Sequence, residues 1–192
     1  MEAPLVGVLA LQGGFAAHAR MLRELGADVR EVRVPADLLG LDGLVLPGGE
    51  STTMTLGIER EGLAEPLGDL VRAGTPVLGT CAGLIMLDRA HLGLMDITAR
   101  RNAFGRQIRS FEADLEFPDL DAPVHAVFIR APWIEDAGQD VEILAEVDGR
   151  PVAAREGNVT VVAFHPELSG ERRLHERFLE RVRAHADARS QA

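Results

Sequence analysis

A short segment near the middle of the chain, Gly79-Thr80-Cys81-Ala82-Gly83, leaves the backbone around it few options. An apolar run, Thr75-Pro76-Val77-Leu78, leads in, and a second, Leu84-Ile85-Met86-Leu87, leads out. That layout is a buried strand turning abruptly into a helix with a nucleophile at the bend, the Gly-x-nucleophile-x-Gly elbow. The glycines permit a strained turn and close approach of neighbouring backbone. The positive end of the following helix favours a thiolate at such a position. A small buried cysteine beside turn glycines is the bland alternative.

Cys81 is the single cysteine of 192 residues, which excludes an internal disulfide framework and a multi-cysteine metal site. A free thiol fits a reducing compartment, so a cytoplasmic location is expected. No run of about 18 apolar residues appears, so no membrane span is expected, and Met1-Glu2-Ala3-Pro4 does not read as a secretory signal.

The segments on either side of the elbow repeat its strand and helix alternation. Leu5 to Leu11 is a continuous apolar run ended by Gln12-Gly13-Gly14, as a buried parallel strand would be. Phe15, Met21, Leu22 and Leu25 follow at helical spacing up to Gly26. Val29 to Val34 and Leu44 to Leu46 predict two more strands, the latter closed by Pro47-Gly48-Gly49. Ser51 or Thr52 is expected to cap a helix toward Ile58, and Leu63 to Arg72 predicts another. From Ile108 to Phe117 the pattern becomes period-two with one wet face, as in antiparallel strands, and Val124 to Ile129 and Val141 to Val147 continue it. Val159 to Phe164 returns to a buried strand, and Leu174, Phe178 and Val182 mark a docking stripe on a last helix. The expected fold is α/β: a three-layer, open, mostly parallel but mixed sheet with helices on both faces, in one domain spanning residues 1–192.

Charge narrows the chemistry. A net charge of −10 disfavours general attraction to nucleic acid or anionic membranes. Every basic residue is arginine, so the chain can form no lysine Schiff base. Pro47-Gly48-Gly49-Glu50-Ser51-Thr52 likewise offers no lysine for a Walker-type phosphate loop.

A thiol nucleophile needs a base, and the base needs an orienting partner. Of six histidines, His18 falls in an early helix, His91 in a loop and His125 in a strand, while His175 and His185 read as solvent-facing on the last helix. His165 terminates a buried strand, where open α/β sheets place their ligand crevice. Glu167 lies two residues on, and extended backbone would point both side chains the same way. Backbone N–H groups at Gly48 and Gly49, with that of Ala82, are candidates to hold an oxyanion. Arg101, Arg106 and Arg130 are candidates to clamp a carboxylate.

Taken together, these segments resemble the class I (triad) glutamine amidotransferases. Leu9-Ala10-Leu11-Gln12-Gly13, Leu46-Pro47-Gly48-Gly49-Glu50-Ser51-Thr52-Thr53-Met54, Arg101-Asn102-Ala103-Phe104-Gly105-Arg106-Gln107, Ser110-Phe111-Glu112-Ala113, Phe128-Ile129-Arg130-Ala131-Pro132 and Phe164-His165-Pro166-Glu167-Leu168 are similar to the glutaminase-subunit family of pyridoxal 5′-phosphate synthases. The resemblance covers nearly the whole chain. It implies a flavodoxin-like fold and hydrolysis of L-glutamine to L-glutamate and ammonia, with no cofactor and no metal. Cys81 would be the nucleophile, with His165 and Glu167 as base and orienting partner. Gly49, Glu50, Ser51, Arg101, Ile129 and Arg130 would bind glutamine, and Gly49 and Ala82 would stabilise the oxyanion. It further implies a (β/α)8 synthase subunit as ammonia acceptor, in a large complex with twelve copies of each. The stretch from the elbow helix to His91-Leu92-Gly93 is shorter than the family pattern. Two other readings stay open at this point: a triad hydrolase with another acceptor or amide substrate, and a redox-sensing module with Cys81 as sensor.

Overall fold

The apolar run at the N-terminus forms β1 (Leu5–Leu9), whose Val6 and Val8 point into one core layer while Leu9 points into the other. A strand covered on both faces has no wet side, hence its unbroken apolar sequence. The computed structural model describes residues 2–102, 104 and 110–191. After β1 come α1 (Phe15–Glu24), β2 (Asp28–Val32), a 3-10 turn at Pro35–Leu38, β3 (Gly43–Leu46), α2 (Ser51–Arg60), α3 (Ala64–Arg72), β4 (Val77–Thr80) and α4 (Ala82–Leu87). The second half adds β5 (Ile97–Arg100), β6 (Ser110–Leu115), β7 (Val124–Ile129), β8 (Trp133–Ala137), β9 (Glu142–Val147), β10 (Arg150–Glu156), β11 (Val159–Val162) and α5 (Arg173–Ser190).

Seven strands form the main sheet in the order β2-β1-β3-β4-β11-β10-β9. The first five pair in parallel, and β10 and β9 extend the edge antiparallel. The expected α/β class and mixed sheet are borne out. On one face Ala19 and Leu22 of α1 and Phe178, Leu179 and Val182 of α5 pack on Val6, Val8, Val45 and Leu78. On the other, Met54 and Ile58 of α2, Leu67 and Val71 of α3 and Leu84 of α4 pack on Leu9, Leu44, Leu46 and Val77. The side chains of β1, β3 and β4 thus divide between two layers with period two.

Local departures from the sequence reading have physical causes. The wet-faced segment forms the β6–β7 hairpin outside the main sheet, paired from Ser110–Ile129 to Leu115–Val124; Ile108 and Arg109 lie outside the described residues. The cap of α2 is Glu50 rather than Ser51 or Thr52, because its carboxylate reaches Thr52 N at 3.0 Å and Thr53 N at 2.7 Å. The short stretch after α4 is pinned by Asp88. Its buried Oδ1 accepts from Ala90 N, His91 N and His91 Nδ1, and its Oδ2 accepts from Ala99 N.

Candidate active site

Cys81 sits between β4 and α4 with φ 50° and ψ −106°, a conformation that costs an L-residue energy and persists only where its surroundings enforce it. Part of the enforcement is a pair of glycines. A Cβ on Gly83 would overlap the Leu46 carbonyl oxygen, so only glycine lets α4 lie this close to β3. A Cβ on Gly79 would meet Leu87 Cδ1 at 2.8 Å and the Gly83 carbonyl at 3.0 Å. The elbow is also tied sideways, since Cys81 N donates to Val162 O at 2.8 Å across to β11.

Sheet order explains how distant segments meet. β3, β4 and β11 are adjacent and parallel, so Gly48 and Gly49, Cys81 and His165 all emerge at neighbouring carboxyl ends. β11 ends at Val162 rather than Phe164, and Pro166 and Glu167 lie in a turn. The two side chains therefore meet through the turn, not through extended alternation. His165 Nδ1 and Glu167 Oε1 are 2.7 Å apart, with both side chains largely buried. His165 N donates to Val127 O at 2.9 Å, which anchors the ring's backbone to β7.

This pairing leaves Nε2 of His165 for the thiol. Burial opposes a charged His165, but its interactions with Cys81 and Glu167 outweigh that and raise it to about 10. For Glu167, burial again opposes the charge, and the His165 hydrogen bond with the neighbouring histidines holds it below the usual carboxylate value. The directed hydrogen bond of Cys81 Sγ runs to Ile129 O at 3.9 Å. The His–Glu arm of the constellation is thus aligned in this state, while the sulfur also lies within reach of the Ile129 carbonyl; such arms tighten when substrate binds.

A cleft of about 430 Å³ opens over the cysteine, lined by Gly49, Glu50, Ser51, Cys81, Ala82, Ile85, Arg101, Asn102, Ile129, Arg130 and His165. Of the described site residues expected from the sequence, all line this cleft except Gly48 and Glu167, the latter standing behind His165. Arg106 lies outside the described residues. Among the described residues, four that are not glycine have φ in the left-handed region, and Cys81, Asn102 and Arg130 are three of them. Such strain gathers at functional sites. Glu50 is held charged, at about 2, by its hydrogen bonds from Thr52 and Thr53; Arg101 Nη2 is 3.5 Å from its Oε1.

Three polar residues at this end of the sheet were not assigned a role by the motifs. Gln12, after β1, accepts from Glu50 N through Oε1 at 2.7 Å, beside Gly49. His175 faces the core rather than solvent, and it and His18 are both fully buried. His18 Nε2 lies 3.3 Å from Glu167 Oε2 and 3.1 Å from Thr80 Oγ1, and His18 Nδ1 lies 2.8 Å from His175 Nε2. Helical spacing carried the missing signal. His18 precedes Met21, Leu22 and Leu25, and His175 precedes Phe178, Leu179 and Val182, at the three-, four- and seven-residue intervals of one face.

A protein of Mycobacteroides abscessus named pyridoxal 5′-phosphate synthase subunit PdxT is 52% identical over 190 residues, covering 94% of this chain and 98% of its own length. The PdxT subunit of a Parafrankia species is 53% identical over 194 residues, covering 96% of each. Among solved structures, one described as a glutamine amidotransferase superposes with a TM-score of 0.87 at 44% identity, over 92% of this chain and 98% of that one. A chain from the PurLQS structure of Thermotoga maritima shares the fold alone, with a TM-score of 0.74 at 16% identity over 97% of this chain and 100% of that one. Residues 8–184 match the SNO glutamine amidotransferase family, and with this coverage and identity the chain belongs to that family.

Proposed function

We propose that this chain, residues 1–192 acting as one glutaminase domain, hydrolyses L-glutamine to L-glutamate and ammonia and delivers the ammonia to a (β/α)8 synthase subunit making pyridoxal 5′-phosphate. The observation that carries the reading is the convergence, at three adjacent strand ends, of a strained Cys81, a His165–Glu167 hydrogen bond and a cleft sized for an amino acid. The names of its relatives, each a subunit of pyridoxal 5′-phosphate synthase, support a partner subunit as its setting. A cytoplasmic location suits a catalytic free thiol, and no helix among the described residues is long and apolar enough to cross a membrane.

In this reading the sulfur of Cys81 attacks the side-chain amide carbon of glutamine while His165 holds the proton it takes from the thiol. The N–H groups of Gly49 and Ala82 receive the developing oxyanion. Protonated His165 then gives its proton to the leaving nitrogen, ammonia departs, and a thioester remains. Water attacks the thioester, passes a proton to His165, and the return of that proton to sulfur releases glutamate. Glu167 stabilises the imidazolium throughout, and its burial makes that interaction stronger than it would be in water. Arg101 and Arg130 offer cations for the substrate carboxylate, and ionised Glu50 offers a partner for its ammonium, while Ser51 and Ile129 complete the walls.

Replacing the nucleophile tests the assignment. Cys81→Ala, assayed with the synthase subunit present, is expected to lose glutamine-dependent synthesis while synthesis from added ammonium continues. Ammonia release from glutamine by that variant would sink the reading.

A further inference from the structure

Behind the Cys81, His165 and Glu167 constellation lies a second pair of imidazoles that the chemistry above does not use. His18 on α1 and His175 on α5 are both fully buried, with ring centroids 5.1 Å apart and tilted by 39°. Two nitrogen-bearing rings in a core otherwise made of Ala19, Leu22, Phe178 and Val182 need a reason, because apolar side chains of similar volume would cost less to bury. The cost is visible: His175 Nδ1 is buried without a hydrogen-bond partner.

Their hydrogen bonds allow the protons to be placed. Burial pushes both rings below their ordinary value, His175 to about 3, so both are neutral near pH 7. One proton therefore lies between His18 Nδ1 and His175 Nε2. If His18 supplied it, His18 Nε2 would turn a bare lone pair toward the Glu167 carboxylate 3.3 Å away, which is repulsive. If His175 supplies it, His18 carries its own proton on Nε2, between Glu167 Oε2 and Thr80 Oγ1. The second arrangement is the favourable one. The bond to Thr80 is the better directed of the two. The contact with Glu167 Oε2 is electrostatic, since that oxygen has no aligned donor. Every group facing His18 belongs to this end of the sheet: Glu167 and His165 after β11, Thr80 on β4 and His175 on α5.

We infer that His18 is a positioning residue for the reaction: held in one tautomer by His175, it directs its Nε2 proton to Thr80 and keeps that positive edge of the ring beside Glu167. It thereby fixes the orienting carboxylate and the strand end that carries Cys81 relative to each other. Oε1 of Glu167 is committed to His165 and Oε2 has no hydrogen-bond partner, so the electrostatic pull of the His18 Nε2 proton 3.3 Å away is what biases the carboxylate's orientation, and without it the carboxylate is freer to turn. Thr80 directly precedes the nucleophile, so the same imidazole touches both ends of the constellation. The inference rests on the glutaminase reading for its activity assay only.

The test exploits Cys81 being the chain's only thiol. Its rate of alkylation by iodoacetamide against pH reports the state of the Cys81 and His165 pair without substrate or synthase. His18→Gln, which can keep an N–H near the Nε2 position, is expected to retain the wild-type profile. His18→Leu is expected to shift the profile upward by about one pH unit and, with the synthase present, to lower kcat for glutamine about 10- to 100-fold with little change in KM, the scale of an outer-shell orienting contact. His175→Leu should shift the profile in the same direction. Should leucine at position 18 not fold by circular dichroism, His18→Asn, too short to reach Glu167, takes its place. Equal behaviour of His18→Gln and His18→Leu, or an unchanged profile in a folded His18→Leu, overturns the inference. Normal wild-type alkylation without ammonia release in the presence of the synthase would instead overturn the glutaminase reading and leave the positioning role standing.

Discussion

Gly48 shows how closely the site is fitted at the level of single atoms. Its backbone needs no left-handed conformation, so alanine is allowed there on torsional grounds. Space forbids it: an added Cβ would overlap His165 Cε1 and stand 3.1 Å from Nδ1 and 3.4 Å from Cys81 Cβ. The imidazole is held from behind by Glu167 and through its own backbone by Val127, so it can yield only by leaving the line between sulfur and carboxylate. A displacement of about 1 Å in a reacting group costs on the order of 100-fold in rate. Gly48→Ala is therefore expected to lose about that much kcat with its far-UV circular dichroism unchanged. A variant with wild-type turnover would show that His165 has more room than the structure gives it.

At the scale of elements, the join between β4 and α4 sets two effects against each other at Gly83. Alanine is the better helix former by about 1 kcal/mol, which predicts stabilisation if propensity decides. A Cβ there, however, would overlap the Leu46 carbonyl of β3, which is backbone and cannot rotate away. Overpacking of this kind costs typically 1–3 kcal/mol, so Gly83→Ala is expected to be net destabilising in urea unfolding and to weaken catalysis by moving the elbow. A rise in the urea midpoint would reverse that ranking. The same join shows what was legible in the sequence. The elbow, the apolar runs of β1, β3 and β4, and the strand-end positions of Cys81 and His165 follow from periodicity and glycine placement. The pairing of His165 with Glu167 was legible as a short spacing, although a turn brings it about rather than an extended strand. The burial of His18 and His175 was not assigned, because a polar ring on a helix is ordinarily cheaper in water, although the apolar residues three, four and seven positions on place each histidine on its helix's packed face.

For the molecule as a whole, the buried histidines tie stability to pH more strongly than the carboxylates do near neutrality. His18 and His175 lie below their ordinary value of 6.5 in the folded chain, His175 at about 3, because burial disfavours the charged ring. As pH falls below about 6.5 the unfolded chain takes up these protons and the folded chain does not, so stability declines, by up to about 1.4 kcal/mol per pH unit for each ring. Glu167, also below its ordinary value, adds a loss that begins only near its unfolded value of 4.5. His165 acts in the opposite sense. Raised to about 10, it contributes stability that is complete below 6.5 and is lost as pH climbs toward 10. Stability should therefore peak near pH 6.5 to 7 and fall on both sides, the acid side beginning well above the carboxylate range. Urea midpoints measured from pH 5 to 7.5 test this, with His175→Leu as the comparison. Removing that ring removes one of the protons taken up on unfolding, so the variant's midpoint should vary less with pH over this range than that of wild type. Equal slopes for the two chains would mean that His175 takes up its proton while folded, which the unpartnered nitrogen and complete burial of that ring oppose.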